Sequence, residues 1–311
     1  MKSFLLALAA ATASATDLLL PLYQYPANNG AAWNPIVEAL TLNKALTAKI
    51  IINPNNGPGS GKEGINDPQY VAGGKALTAL PNAQLLGYVH TSLDFGTTRC
   101  TVPYADITAA VKTWTTWVSA GIAIRGIFVD EAPADDTNAA CVKYMSDLTA
   151  FIRAQTAFGT KPIVVFNPGG TGSLQGYYNL QPEQPDLIVA METCFVVPEL
   201  AGEDYDQCPK AGGYERYDHA GVGSSIDTVL LPNVGTTNAP RTAVLVHGFH
   251  DYNGAAANLS ATAAVLQQLV GAVVKKNIGA TFFNTAGYHT FSDGPASIGA
   301  VAGLLKAAKG V

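Results

Sequence analysis

The sequence predicts an α/β fold of a single domain, a (β/α)8 barrel of the TIM type, on three observations. Short apolar runs alternate with longer helical patterns along the chain. There are eight such runs. Glycine, proline, asparagine and tyrosine collect in the segments that follow them. Eight strand–helix units over residues 16–311 suit a barrel that typically takes about 250 residues plus insertions.

The first strand is the run Leu-Leu-Leu-Pro-Leu-Tyr at 18–23, followed by a helical pattern over 33–46. Strands at 48–52 and 84–89 flank a helix at 70–80. The strand at 124–129 lies between helices at 107–120 and 139–158, and the strand at 163–166 precedes a short helix at 175–180. Strands at 187–191, 242–246 and 280–283 complete the set, with helices at 255–276 and 294–308. Most of the strands are continuously apolar rather than alternating, as parallel strands buried on both faces should be. A doubly wound open sheet fits less well, because no Gly-x-Gly-x-x-Gly turn follows the first strand.

Composition narrows the function. Charged residues make up 13% of the chain, about half the ~25% usual share, while 48% are hydrophobic, which excludes a disordered chain. Eighteen basic against 23 acidic residues give a net charge of −5, so no nucleic-acid partner is expected. Lys2, the apolar run from Phe4 to Ala11 and Ala13-Ser14-Ala15 have the layout of a secretory signal peptide cleaved after about Ala15. No later run is long enough to span a membrane, so the expected product is a secreted monomer, extracellular or in a cell wall. Its four cysteines then read as disulfides rather than zinc ligands. Cys194 and Cys208 share one short segment and pair on that ground. This leaves Cys100 with Cys141, although four cysteines allow three connectivities. Asn258-Leu259-Ser260 is a glycosylation acceptor.

In a barrel of this kind the active site is built at the C-terminal ends of the strands. The fold therefore becomes a search rule: carboxylates and histidines that end strands are candidates. Strand four runs Gly-Ile-Phe-Val into Asp130 and Glu131, and strand six runs Leu-Ile-Val-Ala-Met into Glu192. A helix N-cap with an acidic first turn is the structural alternative for the pair, but Pro133 and the loop behind it delay the helix. Two or three carboxylates around one cleft are what glycosidic cleavage needs. Tyr23, Asn53, Tyr88, His90, Asn167, His247 and Asn284 are the candidate substrate-binding residues. Aromatic faces stack on sugar rings, and polar tips bond sugar hydroxyls. His247, His250 and a carboxylate match no specific metal motif, so no metal or other cofactor is expected. A serine nucleophile lacks its Gly-x-Ser-x-Gly turn. Trp114 and Trp117, three residues apart on a helix, read as core packing.

Taken together, Leu-Leu-Leu-Pro-Leu-Tyr-Gln-Tyr-Pro (18–26), Ile-Ile-Asn-Pro-Asn-Asn-Gly-Pro-Gly (51–59), Leu-Gly-Tyr-Val-His-Thr (86–91), Gly-Ile-Phe-Val-Asp-Glu (126–131) and Val-Phe-Asn-Pro-Gly (165–169) resemble the spherulin-4, or spherulation-specific, family. The resemblance implies a (β/α)8 barrel and an endo-acting glycoside hydrolase of galactosaminogalactan, an exopolysaccharide containing α-1,4-linked N-acetylgalactosamine. The family's Asp-Glu pair falls on Asp130 and Glu131. Its third acidic residue falls on Glu192, with Glu183 and Glu199 nearby in the chain. In an α-linked N-acetylgalactosamine the acetamido group is cis to the leaving group and cannot attack from behind, so the protein must supply its own nucleophile. The expected roles are Asp130 as nucleophile, Glu192 as general acid/base and Glu131 as a positioning group, the first and last being interchangeable at this level. The competing expectation is a non-catalytic spore- or cell-wall protein that binds polysaccharide on the same barrel.

Overall fold

The computed structural model describes residues 16–60, 62–94, 98–169, 174–195, 226–247, 263–284 and 294–310. Eight parallel strands form a closed barrel in chain order: β1 (Asp17–Leu22), β2 (Ala48–Ile52), β3 (Ala83–His90), β4 (Ile124–Asp130), β5 (Ile163–Phe166), β6 (Leu187–Cys194), β7 (Thr242–His247) and β8 (Ala280–Phe283). β8 pairs with β1 through Asp17↔Ala280 and Leu18↔Thr281, so no sheet edge is left open. The helices α1 (Asn34–Leu42), α2 (Pro68–Thr78), α3 (Tyr104–Ser119), α4 (Ala139–Arg153), α5 (Gln175–Tyr178), α6 (Leu231–Val234), α7 (Ala263–Lys275) and α8 (Ile298–Lys309) follow the strands one by one.

All eight predicted strands form. Their apolar runs are continuous because one face fills the barrel and the other lies beneath the helices; every residue of β2, β7 and β8 is buried. Trp114 and Trp117 on α3 are fully buried against that outer face. The Trp114 indole N–H donates to the Tyr88 carbonyl at 2.9 Å. Its ring lies so close to Gly87 that a Cβ there would stand 2.4 Å away, so β3 reaches its partner only because residue 87 has no side chain.

The differences lie at the element ends. β3, β4, β6 and β7 run past their apolar stretches, because the polar residues that follow keep pairing: His90↔Asp130 joins β3 to β4, and Cys194↔His247 joins β6 to β7. α1 stops at Leu42 rather than 46, where Asn43 leaves helical geometry and its amide bonds back to the Ala39 carbonyl. α4 ends at Arg153, and a short 3-10 turn at Thr156–Phe158 replaces its expected last turn. α8 begins at Ile298, four residues late. A π-helical turn at Ile226–Leu230 and α6 lie between β6 and β7, where the sequence pattern gives no helix. The start predicted for α7 at residue 255, the signal segment 1–15, Asn258 and Cys208 lie outside the described residues.

Cys100 and Cys141 are disulfide-bonded, with Cα atoms 5.6 Å apart. The bond ties the loop after β3 to the first turn of α4 and so brackets the end of β4. The expected pairing of Cys194 with Cys208 lies outside the described residues. Closing a loop of 41 residues is worth about 4 kcal/mol in chain entropy. Replacing both Cys100 and Cys141 by serine is therefore expected to lower unfolding free energy by about 3–4 kcal/mol in urea titration; an unchanged midpoint would contradict this. Among the described residues no helix is long and apolar enough to cross a membrane.

Candidate active site

The strand extensions bring side chains from β3, β4, β5, β6 and β7 to one mouth of the barrel. Asp130 ends β4. Its Oδ2 accepts a 2.7 Å hydrogen bond from the Tyr88 hydroxyl, and its Oδ1 accepts from the Glu131 backbone N–H at 2.9 Å. Oδ1 also accepts from Nδ2 of Asn167 at 2.8 Å, and the same Nδ2 donates to Oε2 of Glu192 at 2.7 Å. The two carboxylate oxygens, each bonded to one nitrogen, therefore stand at most about 5.5 Å apart. Oε1 of Glu192 lies 2.8 Å from Nε2 of His247, both side chains being 7% exposed. One hydrogen-bonded chain thus runs Tyr88–Asp130–Asn167–Glu192–His247 across the mouth.

Glu131 takes a different direction. Its φ of 52° is left-handed, a conformation that costs a non-glycine residue about 1–2 kcal/mol, and it turns the chain sharply at the end of the strand. Its Oε2 lies 3.4 Å from Nδ1 of His90. The turn is held in place by Thr91, whose hydroxyl donates to the Glu131 carbonyl at 2.5 Å and whose N–H donates to the Asp130 carbonyl at 3.1 Å. The N-cap of α4 is Asn138, so neither Asp130 nor Glu131 is spent on a helix end.

Electrostatics follow from this crowding. Burial, then the negative charge of Glu192, push the Asp130 carboxyl up to about 6 from 3.8, against the opposing pull of the Tyr88 hydroxyl. Burial and the neighbouring carboxylates keep the Tyr88 and Tyr23 phenols protonated well beyond their ordinary range, so Tyr88 remains a donor. Glu131 raises the affinity of the His90 imidazole for its second proton, with burial opposing.

Of the residues singled out from the sequence, Asp130, Glu192, Tyr88, Asn167 and His247 form the chain, and Glu131 pairs with His90 beside it. Tyr23 packs edge-on to Tyr88 with ring centroids 5.8 Å apart. Asn284 follows β8, where its N–H bonds the Val246 carbonyl next to His247. Asn53 instead braces its own loop, its Oδ1 accepting from the Gly57 N–H at 2.9 Å. Glu183 lies elsewhere, near Arg153, and Glu199 and His250 fall outside the described residues. Sequence reasoning missed Thr91, as well as Ser92, whose carbonyl takes the His90 Nδ1 proton at 2.7 Å. Their position directly after a strand end was the available signal. Among the described residues no group of three or more potential metal ligands converges.

In overall fold the chain is similar to Aspergillus clavatus Sph3, solved in complex with GalNAc, at 21% identity and a TM-score of 0.69, covering 94% of this chain and 98% of that one. It is also similar to a GH5-4 broad-specificity endoglucanase from Bacteroides salanitronis (12% identity, TM-score 0.53, 95% and 93% covered). A family 5 glycoside hydrolase from Prevotella bryantii B14 is similar too (11%, 0.53, 99% and 100%). No functionally curated protein matches it. The profile of Spherulation-specific family 4 matches residues 17–301, nearly the whole described barrel, and the chain belongs to that family.

Proposed function

We propose that this chain is a secreted glycoside hydrolase that cuts α-1,4-linked N-acetylgalactosamine within galactosaminogalactan-type exopolysaccharide, with retention of anomeric configuration. One observation carries the reading: a single amide bonds both Asp130 and Glu192, so their facing oxygens stand at most about 5.5 Å apart, compatible with the ~5–5.5 Å of a retaining pair and short of the ~6.5–9.5 Å of an inverting one. Family membership supports the substrate class, as does the fold similarity to a protein that binds GalNAc. The signal-like N-terminus and the Cys100–Cys141 bond support secretion.

The hydrogen bonds divide the roles. Oδ1 of Asp130 faces two N–H donors that cannot reverse, which suits an oxygen that accepts throughout and attacks the anomeric carbon as a carboxylate. Oε1 of Glu192 faces an imidazole nitrogen able to give or take a proton, which suits a group that cycles. In the first step Glu192 protonates the glycosidic oxygen as Asp130 forms the glycosyl ester. In the second, Glu192 takes a proton from water, which attacks the same carbon and releases Asp130. Glu131 and His90 hold the turn that aims Asp130.

The test incubates purified protein with galactosaminogalactan, chitin and poly-N-acetylglucosamine. Oligosaccharides are expected from the first; none from any would leave a polysaccharide-binding protein. Burial holds the Asp130 carboxyl up to about 6, and the attacking role needs it ionised. Accordingly kcat/KM is expected to fall about tenfold per unit below pH 6. A profile flat down to about pH 4 would contradict the assignment.

A further inference from the structure

Asn167 was read from the sequence as a sugar ligand, yet every polar atom of its side chain is already engaged. Nδ2 uses its two hydrogens on Asp130 and Glu192, and Oδ1 accepts from the Gly169 N–H at 3.0 Å. Its backbone is fixed as well: its N–H donates to the Val129 carbonyl at 2.8 Å, and its carbonyl accepts from the Ala132 N–H at 2.9 Å. Only 3% of the residue is exposed. Such a side chain has no donor left for a substrate and is held from both ends.

Two carboxylates this close have a lower-energy alternative without the amide. One would protonate and donate directly to the other, as carboxyl dyads do, collapsing their separation and holding the shared proton to higher pH. An amide NH2 donates to both, cannot accept, and carries no charge. We propose that Asn167 is a positioning residue that holds the nucleophile and the acid/base apart, at the spacing of a retaining pair, and prevents them from sharing a proton. This rests on the hydrolase reading above for its consequence in turnover, but not for its consequence in titration. The other ionisable groups facing the pair are Tyr88 and His90 from β3, Glu131 after β4, His247 from β7 and Tyr23 after β1. None of them lies between the two carboxylates as the amide does.

The test is Asn167→Asp, which keeps the shape and the Oδ1 acceptor for Gly169 while removing the double donor. On polysaccharide, kcat is expected to fall about a hundredfold with KM within about threefold, and the residual activity to move to lower pH, where the new carboxyl carries a proton it can donate. A raised KM with kcat unchanged would make Asn167 a sugar ligand and overturn the proposal, as would an unaltered rate and pH profile. Asn167→Ala supplies the second arm by carboxyl-carbon NMR titration of labelled Asp and Glu. The upper titration of the Asp130–Glu192 pair is expected to rise by at least about one unit relative to wild type, whether or not the protein hydrolyses anything. If it stays where it is, the proposal fails even in an active enzyme; if it rises in Asn167→Ala while the wild-type protein cuts no polymer, only the hydrolase reading fails. Should Asn167→Asp not fold, Asn167→Ala carries both measurements.

Discussion

Asp130→Asn is expected to remove nearly all hydrolysis, by about a thousandfold or more, while making the folded protein more stable above pH 6. The loss of activity follows from the loss of the attacking oxygen. The gain in stability follows from the environment. Folding raises the Asp130 carboxyl from 3.8 to about 6, chiefly by burial, so the folded state favours its neutral form. A group raised in this way contributes stability that is fully present below about pH 4 and is lost as pH rises through about 6. By pH 8 the ionised carboxylate costs about 2–3 kcal/mol. Asparagine fits the same partners: its carbonyl can accept from Asn167 and the Glu131 N–H, and its amide can donate to the Tyr88 oxygen. Urea unfolding at pH 5 and pH 8 should show wild type weakening between the two and Asp130→Asn changing less. A variant no more stable than wild type at pH 8 would remove the buried-charge argument. Glu192→Gln should lose activity to a similar depth on natural polymer.

The second large effect is structural. Gly126 lies in β4 opposite Ile163 of β5, and a Cβ there would stand within van der Waals distance of backbone, 1.9 Å from the Ile163 carbonyl oxygen and 2.5 Å from its nitrogen. Backbone atoms of a barrel strand cannot step aside as a flexible side chain does. Gly126→Ala is expected to cost about 3–5 kcal/mol, lowering Tm by about 10 °C. Because β4 ends in Asp130 and β5 leads into Asn167, the surviving folded fraction should also turn over more slowly. A melting temperature within about 2 °C of wild type would show that the two strands are less closely packed than described.

How far the sequence reached is clearest at particular residues. The eight strands were legible because burial on both faces writes a mostly apolar run, short and bounded by turn residues, with Lys49 in β2 and Arg125 in β4 among the interruptions. Strand β6 shows where that signal ends. The apolar run stops at Met191, but pairing with β7 continues through Glu192, Thr193 and Cys194, after a register shift between Val189 and Met191. Glu192 is consequently inside a strand and not on a loop. The candidate carboxylates could be found because a chain with half the usual charge places three of them at strand ends. Asn167 could be noticed but not understood, since its partners lie 37 residues before it and 25 after it and meet only when the barrel closes. Glu131 is similar: only its backbone turn reveals that it faces His90 while its neighbour faces Glu192.

The stereochemistry of the first product tests the paired-carboxylate mechanism most directly. Proton NMR, recorded within minutes of adding the protein to an α-1,4-linked N-acetylgalactosamine oligomer, should show the new reducing end as the α-anomer, which then drifts to the equilibrium mixture. A β-anomer appearing first would mean inversion, and with it that Asp130 and Glu192, held by Asn167 at most about 5.5 Å apart, are not the nucleophile and acid/base pair.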